Sequence, residues 1–282
     1  MKYLITGATG MLGTDLAVAL AGRNVTSFAR AELDISDPAA VRAAVAGHDV
    51  VINAAAYTKV DDAEAHEPEA RLVNAVGAGN LADAAARTGA TIVQVSTDYV
   101  FDGAADSPYT EEAVRNPVSA YGRTKAEGEE LVERAGAVRS FIVRTAWLYG
   151  AHGPNFAKTM RRLAAERDEI GVVTDQLGQP TWTFDLARQI VVLIDSDAPS
   201  GIYHGTNAGQ ASWFDFARAV LERAELDPER IRPTDSAQFV RPAPRPAYSV
   251  LGHDAWGRAG LAPMRHWALA LDDAAAAGAT TP

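Results

Sequence analysis

Short apolar runs alternate with helix-patterned stretches through the first half of the chain. The runs fall at 3–5, 25–28, 50–52, 91–95 and 140–143, each about the length of a buried strand. Between them, 14–21, 38–46, 69–88 and 117–135 carry the apolar spacing and alanine content of helices. Pro38 after Ser36 and Asp37 is a helix start. Strand–helix alternation predicts an α/β, Rossmann-like doubly wound parallel sheet. Ligands of such sheets lie beyond the carboxyl ends of the strands, so functional residues are expected just after each strand. From about Ala151 the rhythm loosens and prolines and turns increase. This divides the chain into a first domain over 1–150 and a smaller C-terminal domain over 151–282. The apolar face of residues 185–194 predicts a crossing back to the first domain around 182–195.

The first strand exit is the richest in glycine. Tyr3-Leu4-Ile5 runs into Thr6-Gly7-Ala8-Thr9-Gly10-Met11-Leu12-Gly13. Gly7 suits a tight turn, Gly10 leaves room for a pyrophosphate against the backbone, and Gly13 lets the new helix pack closely. The free N–H groups at that helix start favour an anion. The spacing is Gly-x-x-Gly-x-x-Gly, and the position after a first strand reads as a dinucleotide site. The first domain is therefore expected to bind a dinucleotide, and the second mainly the substrate.

The later strand exits add chemistry. Arg30 stands at the second exit, where a carboxylate ordinarily takes the ribose hydroxyl; an arginine there pairs with a 2′-phosphate and points to NADPH, or else is a solvated surface residue. Asp34, beside Ile35, reads as an adenine contact. After the third strand, Asn53-Ala54-Ala55-Ala56-Tyr57-Thr58 lets cofactor and backbone approach closely, or packs on a helix. The fourth exit, Ser96-Thr97-Asp98-Tyr99-Val100-Phe101-Asp102-Gly103, concentrates hydroxyls and carboxylates. Tyr121 and Lys125 lie four apart on one helix face. A lysine ammonium near a phenol eases its proton exchange below the usual pKa of ~10. With a hydroxyl such as Thr97, the pair forms the proton-transfer half of a hydride-transfer site.

Composition narrows the classes. A hydrophobic fraction of 48% and charged fraction of 22% fit a globular protein. The net charge of −10 disfavours nucleic acid as a partner. Absence of cysteine removes thiolate catalysis, disulfides and Cys-based zinc sites. No run approaches the ~20 apolar residues of a membrane span, and the chain enters a strand without a signal-peptide pattern. The expected location is cytoplasmic. The six histidines show no metal-ligand spacing, so no metal ligands are assigned.

Several blocks together carry a family resemblance. Gly7 to Gly13, Thr97 and Tyr121/Lys125 look like an extended short-chain dehydrogenase/reductase. Val51-Ile52-Asn53-Ala54-Ala55-Ala56-Tyr57-Thr58-Lys59-Val60-Asp61, the Ser96–Gly103 block and Arg144-Thr145-Ala146-Trp147-Leu148-Tyr149-Gly150 resemble the dTDP-4-dehydrorhamnose reductase family. Asp175-Gln176-Leu177-Gly178-Gln179-Pro180-Thr181, Gly201-Ile202-Tyr203-His204, Ser212-Trp213 and Pro242-Ala243-Pro244-Arg245-Pro246 continue it in order. The resemblance implies reduction of the 4-keto group of dTDP-4-dehydro-β-L-rhamnose by NADPH or NADH. It implies that Tyr121 protonates the developing alkoxide, Lys125 binds the nicotinamide ribose and Thr97 holds the carbonyl oxygen. Met11 and Leu12 would touch the cofactor, and Trp147 would line the sugar site. Asp98 and Tyr99 join the substrate candidates. Asn155 is either a substrate contact or a helix cap. Arg245, like Arg241, either reaches the diphosphate from a proline-stiffened loop or lies on a surface loop. Trp213 reads as core beyond a helix cap at Ser212, His204 as a satisfied strand residue, and the Asp61-Asp62-Ala63-Glu64 cluster as a helix start or solvated face. The chain is expected as a monomer or homodimer; some relatives form metal-bridged dimers, and a Mg2+ role there has no ligands assigned. The competing readings are a reductase of another nucleotide-linked 4-keto-deoxysugar and a non-catalytic nucleotide-binding regulatory subunit.

Overall fold

The computed structural model describes residues 1–282. Strands β1 (Lys2–Thr6), β2 (Asn24–Phe28), β3 (Val50–Asn53), β4 (Thr91–Thr97), β5 (Ser140–Thr145) and β6 (Gly201–His204) form one sheet in the order β6-β5-β4-β3-β1-β2. Every pairing is parallel. Both faces are covered by helices, so the strands read as continuous apolar runs. Alternate residues of each strand serve opposite faces. Tyr3, Ile5, Ile52, Val93, Phe141 and Val143 pack with Leu16 and Leu20 of α1 (Met11–Ala19 and its C-cap) and with Leu186 and Ile190. Leu4, Val51, Ile92 and Ile142 pack the other way, on Val41 and Val45 of α2 (Pro38–Val45), Leu81 and Ala85 of α3 (Ala78–Thr88) and Val132 of α4 (Ala120–Ala135). Burying each such side chain contributes about 1.5–3 kcal/mol.

The order reverses between β1 and β3, which puts a crevice at their carboxyl ends. A buried polar chain fixes that edge: Thr6 donates to Asn53 at 2.6 Å, and Asn53 to Gln94 at 2.7 Å. Three adjacent strands are thereby tied at the level where the crevice opens.

Helix boundaries differ from the sequence pattern for local reasons. α1 begins at Met11, inside the glycine motif, because Gly10 already has the extended backbone of an N-cap. The expected helix over 69–88 is three pieces: Glu67–Arg71, a π-helical turn Leu72–Gly77, then α3. The wide turn seats Asn74 against α4, where a Cβ on Gly128 would lie 2.1 Å from the Asn74 carbonyl oxygen. α4 starts at Ala120, three residues later than expected, because Ser119 caps it by accepting from the Gly122 N–H at 3.1 Å.

The second half does not leave the first alone. Helix α6 (Thr183–Asp195), introduced after α5 (Phe156–Glu166), lays its apolar face on α1, and β6 extends the central sheet beyond β5. The helix Asp254–Arg258 also returns, with Ala255 and Trp256 in the first core, while other C-terminal elements close around a separate core of Tyr149, Trp182, Phe216 of α7 (Trp213–Arg223), Leu221 and Leu271. No helix is long and apolar enough to cross a membrane.

Candidate active site

A cavity of about 1020 Å³ opens at the carboxyl ends of β1, β3, β4 and β5. One end is lined by backbone and small side chains. Gly7 has φ +69°, and a Cβ there would sit 2.6 Å from the Ala55 nitrogen, so only glycine fits between β1 and the segment after β3. Gly13 serves the turn itself: its Cβ would meet the Gly7 carbonyl oxygen at 2.2 Å. The N-terminus of α1 has no side-chain cap, leaving its first N–H groups free for an anion.

Thr9, Gly10, Met11 and Leu12 line this end with Ala54, Ala55, Ala56 and Tyr57. Arg30 is exposed at its rim, beside Asp34 and Ile35. The Asp34 carboxylate is occupied locally: it accepts from the Ser36 N–H at 2.9 Å and hydroxyl at 2.7 Å, and these bonds hold it below the usual carboxylate range. The Tyr57 N–H donates to Asn74 at 2.8 Å, and Asn74 donates to Thr124 at 3.1 Å, between Tyr121 and Lys125. The π-turn thus ties the third strand exit to the helix of the Tyr–Lys pair.

Thr97, Asp98, Tyr99, Tyr121 and Lys125 converge in the middle of the cavity. Thr97 is buried, donates to Asp98 at 2.9 Å, accepts from the Tyr99 N–H at 3.2 Å and lines the cavity with the Tyr121 phenol. The Tyr99 and Tyr121 rings meet edge to face at 5.6 Å. Lys125 is buried and donates to the Val95 carbonyl at 2.6 Å.

The electrostatics revise one sequence expectation. Burial raises the Tyr121 phenol to about 12, against the Thr97 hydrogen bond that lowers it. Burial also lowers Lys125 to about 8, with Glu129 opposing. The ammonium is engaged with a strand carbonyl, so it does not acidify the phenol in this state. The phenol stays protonated, which is the form a proton donor needs. Burial raises Asp98 to about 6, opposed by its hydrogen bonds, and pushes Tyr99 above the ordinary tyrosine range.

The far end is built from large side chains. Trp147 has φ +47°, a strained backbone for an aromatic residue, and stacks on Trp213 with ring centroids 3.5 Å apart. Both line the cavity. Ser212 does cap α7, in a reciprocal capping box with Asp215, and Phe216 is core as expected. Trp213 packs against that core, on Phe156 and Phe216, as expected, and its other face is also a cavity wall stacked on Trp147. The sequence signal available was its adjacency to the cap.

Two candidates stand elsewhere. Asn155 caps α5, accepting from the Lys158 N–H at 3.1 Å, and its amide donates to the Gly150 carbonyl at 2.9 Å. Its neighbours Gly153 and Pro154 reach the cavity instead. Arg245 pairs with Asp61 at 2.9 Å and lies over the Tyr99 ring at 5.9 Å, outside the cavity lining. The acidic cluster is correspondingly more than a solvated face. Asp61 anchors the proline-rich loop, Asp62 accepts from the Tyr57 hydroxyl, and Glu64 accepts from the Ala120 N–H at 2.8 Å at the start of α4. His204 is a buried strand residue whose Nδ1 faces the Gly252 carbonyl at 2.8 Å. No group of three or more His, Asp or Glu side chains is placed to hold a metal ion.

Residues 1–279 match the family model described as the RmlD substrate binding domain. A dTDP-4-dehydrorhamnose reductase of Mycolicibacterium smegmatis is 49% identical over 286 residues, covering 99% of this chain and 87% of that one. The chain belongs to the dTDP-4-dehydrorhamnose reductase family. A relative from Streptomyces niveus, a dTDP-4-keto-6-deoxy-D-glucose reductase, is 50% identical over 277 residues, 97% of this chain and 96% of its own. Among solved structures, the family member from Bacillus anthracis, in complex with NADP, superposes with a TM-score of 0.93 at 39% identity, covering 97% of this chain and 99% of that one. The reductase family thus shares this fold over nearly the whole length, including the C-terminal elements that supply Trp213.

Proposed function

We propose that this protein is an oxidoreductase that reduces the 4-keto group of dTDP-4-dehydro-β-L-rhamnose to dTDP-β-L-rhamnose with NADPH. The observation that carries this reading is the convergence of Thr97, Tyr121 and Lys125 midway between a glycine-lined and a tryptophan-lined end of one cavity. The nicotinamide dinucleotide, when bound, supplies the hydride. The donor set suits it: an uncapped helix start and Gly7, Gly10 and Gly13 for the pyrophosphate, Ala54, Ala55, Ala56 and Tyr57 along its length, and Arg30 at the rim for a 2′-phosphate.

The chain's own residues do the rest. Thr97 donates to the carbonyl oxygen and stabilises negative charge as it develops there. Tyr121, held protonated by burial, delivers its proton to the same oxygen. Lys125 exchanges its bond to Val95 for the ribose and restores the phenol's proton. Trp147 and Trp213 exclude water along the sugar. Asp98 accepts from the Thr97 hydroxyl and releases it to the carbonyl oxygen when the sugar binds. Residues 1–150 form the dinucleotide-binding part and 151–282 mainly the sugar-binding part, with α6 and β6 returned to the first. The expected site of action is the cytoplasm, on a free dTDP-sugar, by a monomer or homodimer; no residues are assigned to a Mg2+ bridge.

A second reading, reduction of another dTDP-linked 4-keto-6-deoxysugar, is favoured by the Streptomyces niveus relative. One assay tests both. Wild-type protein is given dTDP-4-dehydrorhamnose or dTDP-4-keto-6-deoxy-D-glucose with NADPH or NADH, nicotinamide absorbance is followed, and the product is identified by NMR. Loss of absorbance with the L-rhamno product is expected. No oxidation overturns the enzyme reading, and a different epimer moves the assignment to the second sugar.

A further inference from the structure

Tyr121 and Lys125 are the first two members of a longer row. Glu129 follows at the same spacing on α4 and is fully buried. The three side chains engage three consecutive residues at the end of β4. Tyr121 stands with Thr97 in the cavity lining, Lys125 donates to the Val95 carbonyl at 2.6 Å, and the Ser96 hydroxyl donates to Glu129 at 2.5 Å. The helix is therefore fastened to the strand exit residue by residue.

Glu129 is fixed from behind as well. Arg144, buried on β5 directly opposite Ser96, donates to it from Nε at 3.0 Å and from Nη2 at 2.8 Å. Arg115 donates to its other side at 2.6 Å and reaches Glu133 at 2.5 Å. Arg144 is itself held by the Glu111 carbonyl at 3.3 Å and lies 5.0 Å over the Phe101 ring. None of Glu129, Arg144 and Arg115 lines the cavity. A buried carboxylate with two guanidiniums needs no ligand to be satisfied, yet it occupies the turn directly behind the ammonium.

We propose that Glu129 is a positioning residue for the reaction: through Ser96 it sets the register of Thr97 against Tyr121, and its negative charge keeps Lys125 an ammonium inside the protein. The inference rests on the reductase reading for its consequence and on the fastening of α4 to the end of β4 for its premise. The charge that acts on Lys125 is that of Glu129 on its own helix; Arg144 from β5 and Arg115, with Glu133 beyond, are turned to Glu129, and the titratable Asp98, Tyr99 and Tyr121 share the cavity lining with Lys125. Burial works against the Lys125 charge and Glu129 works for it. Glu129 stays ionised because Arg144 and Arg115, with the Ser96 hydrogen bond, outweigh its own burial.

Opposite changes around Glu129 therefore move Lys125 in opposite directions. Glu129→Gln removes the supporting charge and leaves two guanidiniums without their carboxylate. Arg115→Met, at a partly exposed side chain, removes an opposing charge and leaves the Arg144 pair intact. Lys125 is one of four lysines, with Lys2, Lys59 and Lys158. Its titration is read in the full-length, ligand-free protein by NMR of 13C-labelled lysine, assigned by its loss from Lys125→Met. The midpoint is expected to fall by about one pH unit in Glu129→Gln and to rise in Arg115→Met. The basic limb of the pH profile for NADPH-dependent reduction should follow in the same directions. A merely structural role would lower the melting temperature and move neither midpoint nor limb.

If both midpoints stay at the wild-type value, the proposal is wrong. It is also wrong if the midpoints move and the limb of turnover does not. If Glu129→Gln does not fold, Arg115→Met decides alone: an upward shift supports the proposal, and no shift overturns it. If the wild type oxidises no NADPH while the midpoints move as stated, the charge relation stands and the reductase reading fails.

Discussion

The two ends of the cavity bind by different means. At the dinucleotide end the wall is backbone: Gly7 and Gly13 meet neighbouring main chain where no side chain fits, and Ala54, Ala55 and Ala56 continue it. At the other end, where the sugar is proposed to bind, the wall is two stacked indoles from elements 66 residues apart, Trp147 after β5 and Trp213 at the start of α7. The first end presents amides common to any diphosphate. The second presents a shape, and shape is what distinguishes one hexose from another. A backbone wall gives way only by breaking strands and turns, whereas an aromatic wall gives way by rotating rings.

Between them stands Tyr121, and its substitution has the largest expected effect. Tyr121→Phe removes the donor without touching either wall. Turnover should drop roughly 10³-fold, with dinucleotide affinity measured by fluorescence titration left near wild type. Near-normal turnover would assign the proton to another group, with Asp98 next in line.

Asp98 gives the next largest effect, on stability. Its folded-state pKa of about 6 exceeds the 3.8 of an ordinary aspartate. The fold therefore favours the protonated acid. That contribution is complete below pH 3.8 and is lost as pH rises through about 6. Asp98→Asn escapes the loss while keeping an acceptor for Thr97. The variant should match wild type near pH 3.5 and exceed it by up to about 3 kcal/mol at pH 7, in urea melts at both values. An equal difference at the two pH values would show that Asp98 is not a protonated acid in the native state.

The contrast between the walls is put directly by two glycines. Gly7→Ala forces a side chain into φ +69° and against the Ala55 nitrogen. It should lower stability by about 2 kcal/mol and weaken the dinucleotide. Gly178→Ala places its Cβ 2.5 Å from the Trp147 ring, which is able to turn. Dinucleotide affinity should hold while the sugar KM rises roughly tenfold. If Gly178→Ala weakened the dinucleotide as much as the sugar, the two ends would not be separate.

This difference also explains what the sequence disclosed. The backbone end is local in sequence: a strand, a turn and a helix start lie within Lys2–Ala19, so the glycine spacing was legible from its steric demands. The parallel sheet was legible because buried strands and helices differ in period and length. Tyr121 and Lys125 share a helix face by spacing alone. The π-turn at Leu72–Gly77 was not legible, because a widened turn has no composition of its own and is selected by the approach of Asn74 to Gly128. Trp213 was read from its cap as core, since the turn that follows Ser212 is determined locally but the direction it faces is a tertiary fact. Arg245 was read as either reaching a diphosphate or lying on a surface loop, and its pairing with Asp61, 184 residues away, was not legible.

Arg30 offers the smallest effect and the sharpest test of the backbone end. Its wall carries no side-chain charge for the pyrophosphate, so affinity for the shared part of NADPH and NADH should be indifferent to surface arginines. Arg30 alone stands at the exit of β2 with its guanidinium exposed at the cavity rim. A charge-assisted contact to a 2′-phosphate survives there at reduced strength, because water screens it. Arg30→Ala should therefore weaken NADPH about tenfold and leave NADH unchanged, and the NADPH loss should shrink as salt is raised from 50 to about 500 mM. Fluorescence titration of both nucleotides at the two salt concentrations measures this. Equal weakening of NADH would mean that Arg30 supports the loop through Asp34 and Ile35 and does not read the phosphate. No weakening of either would leave the dinucleotide end wholly to backbone, with nothing at this rim to separate the two cofactors.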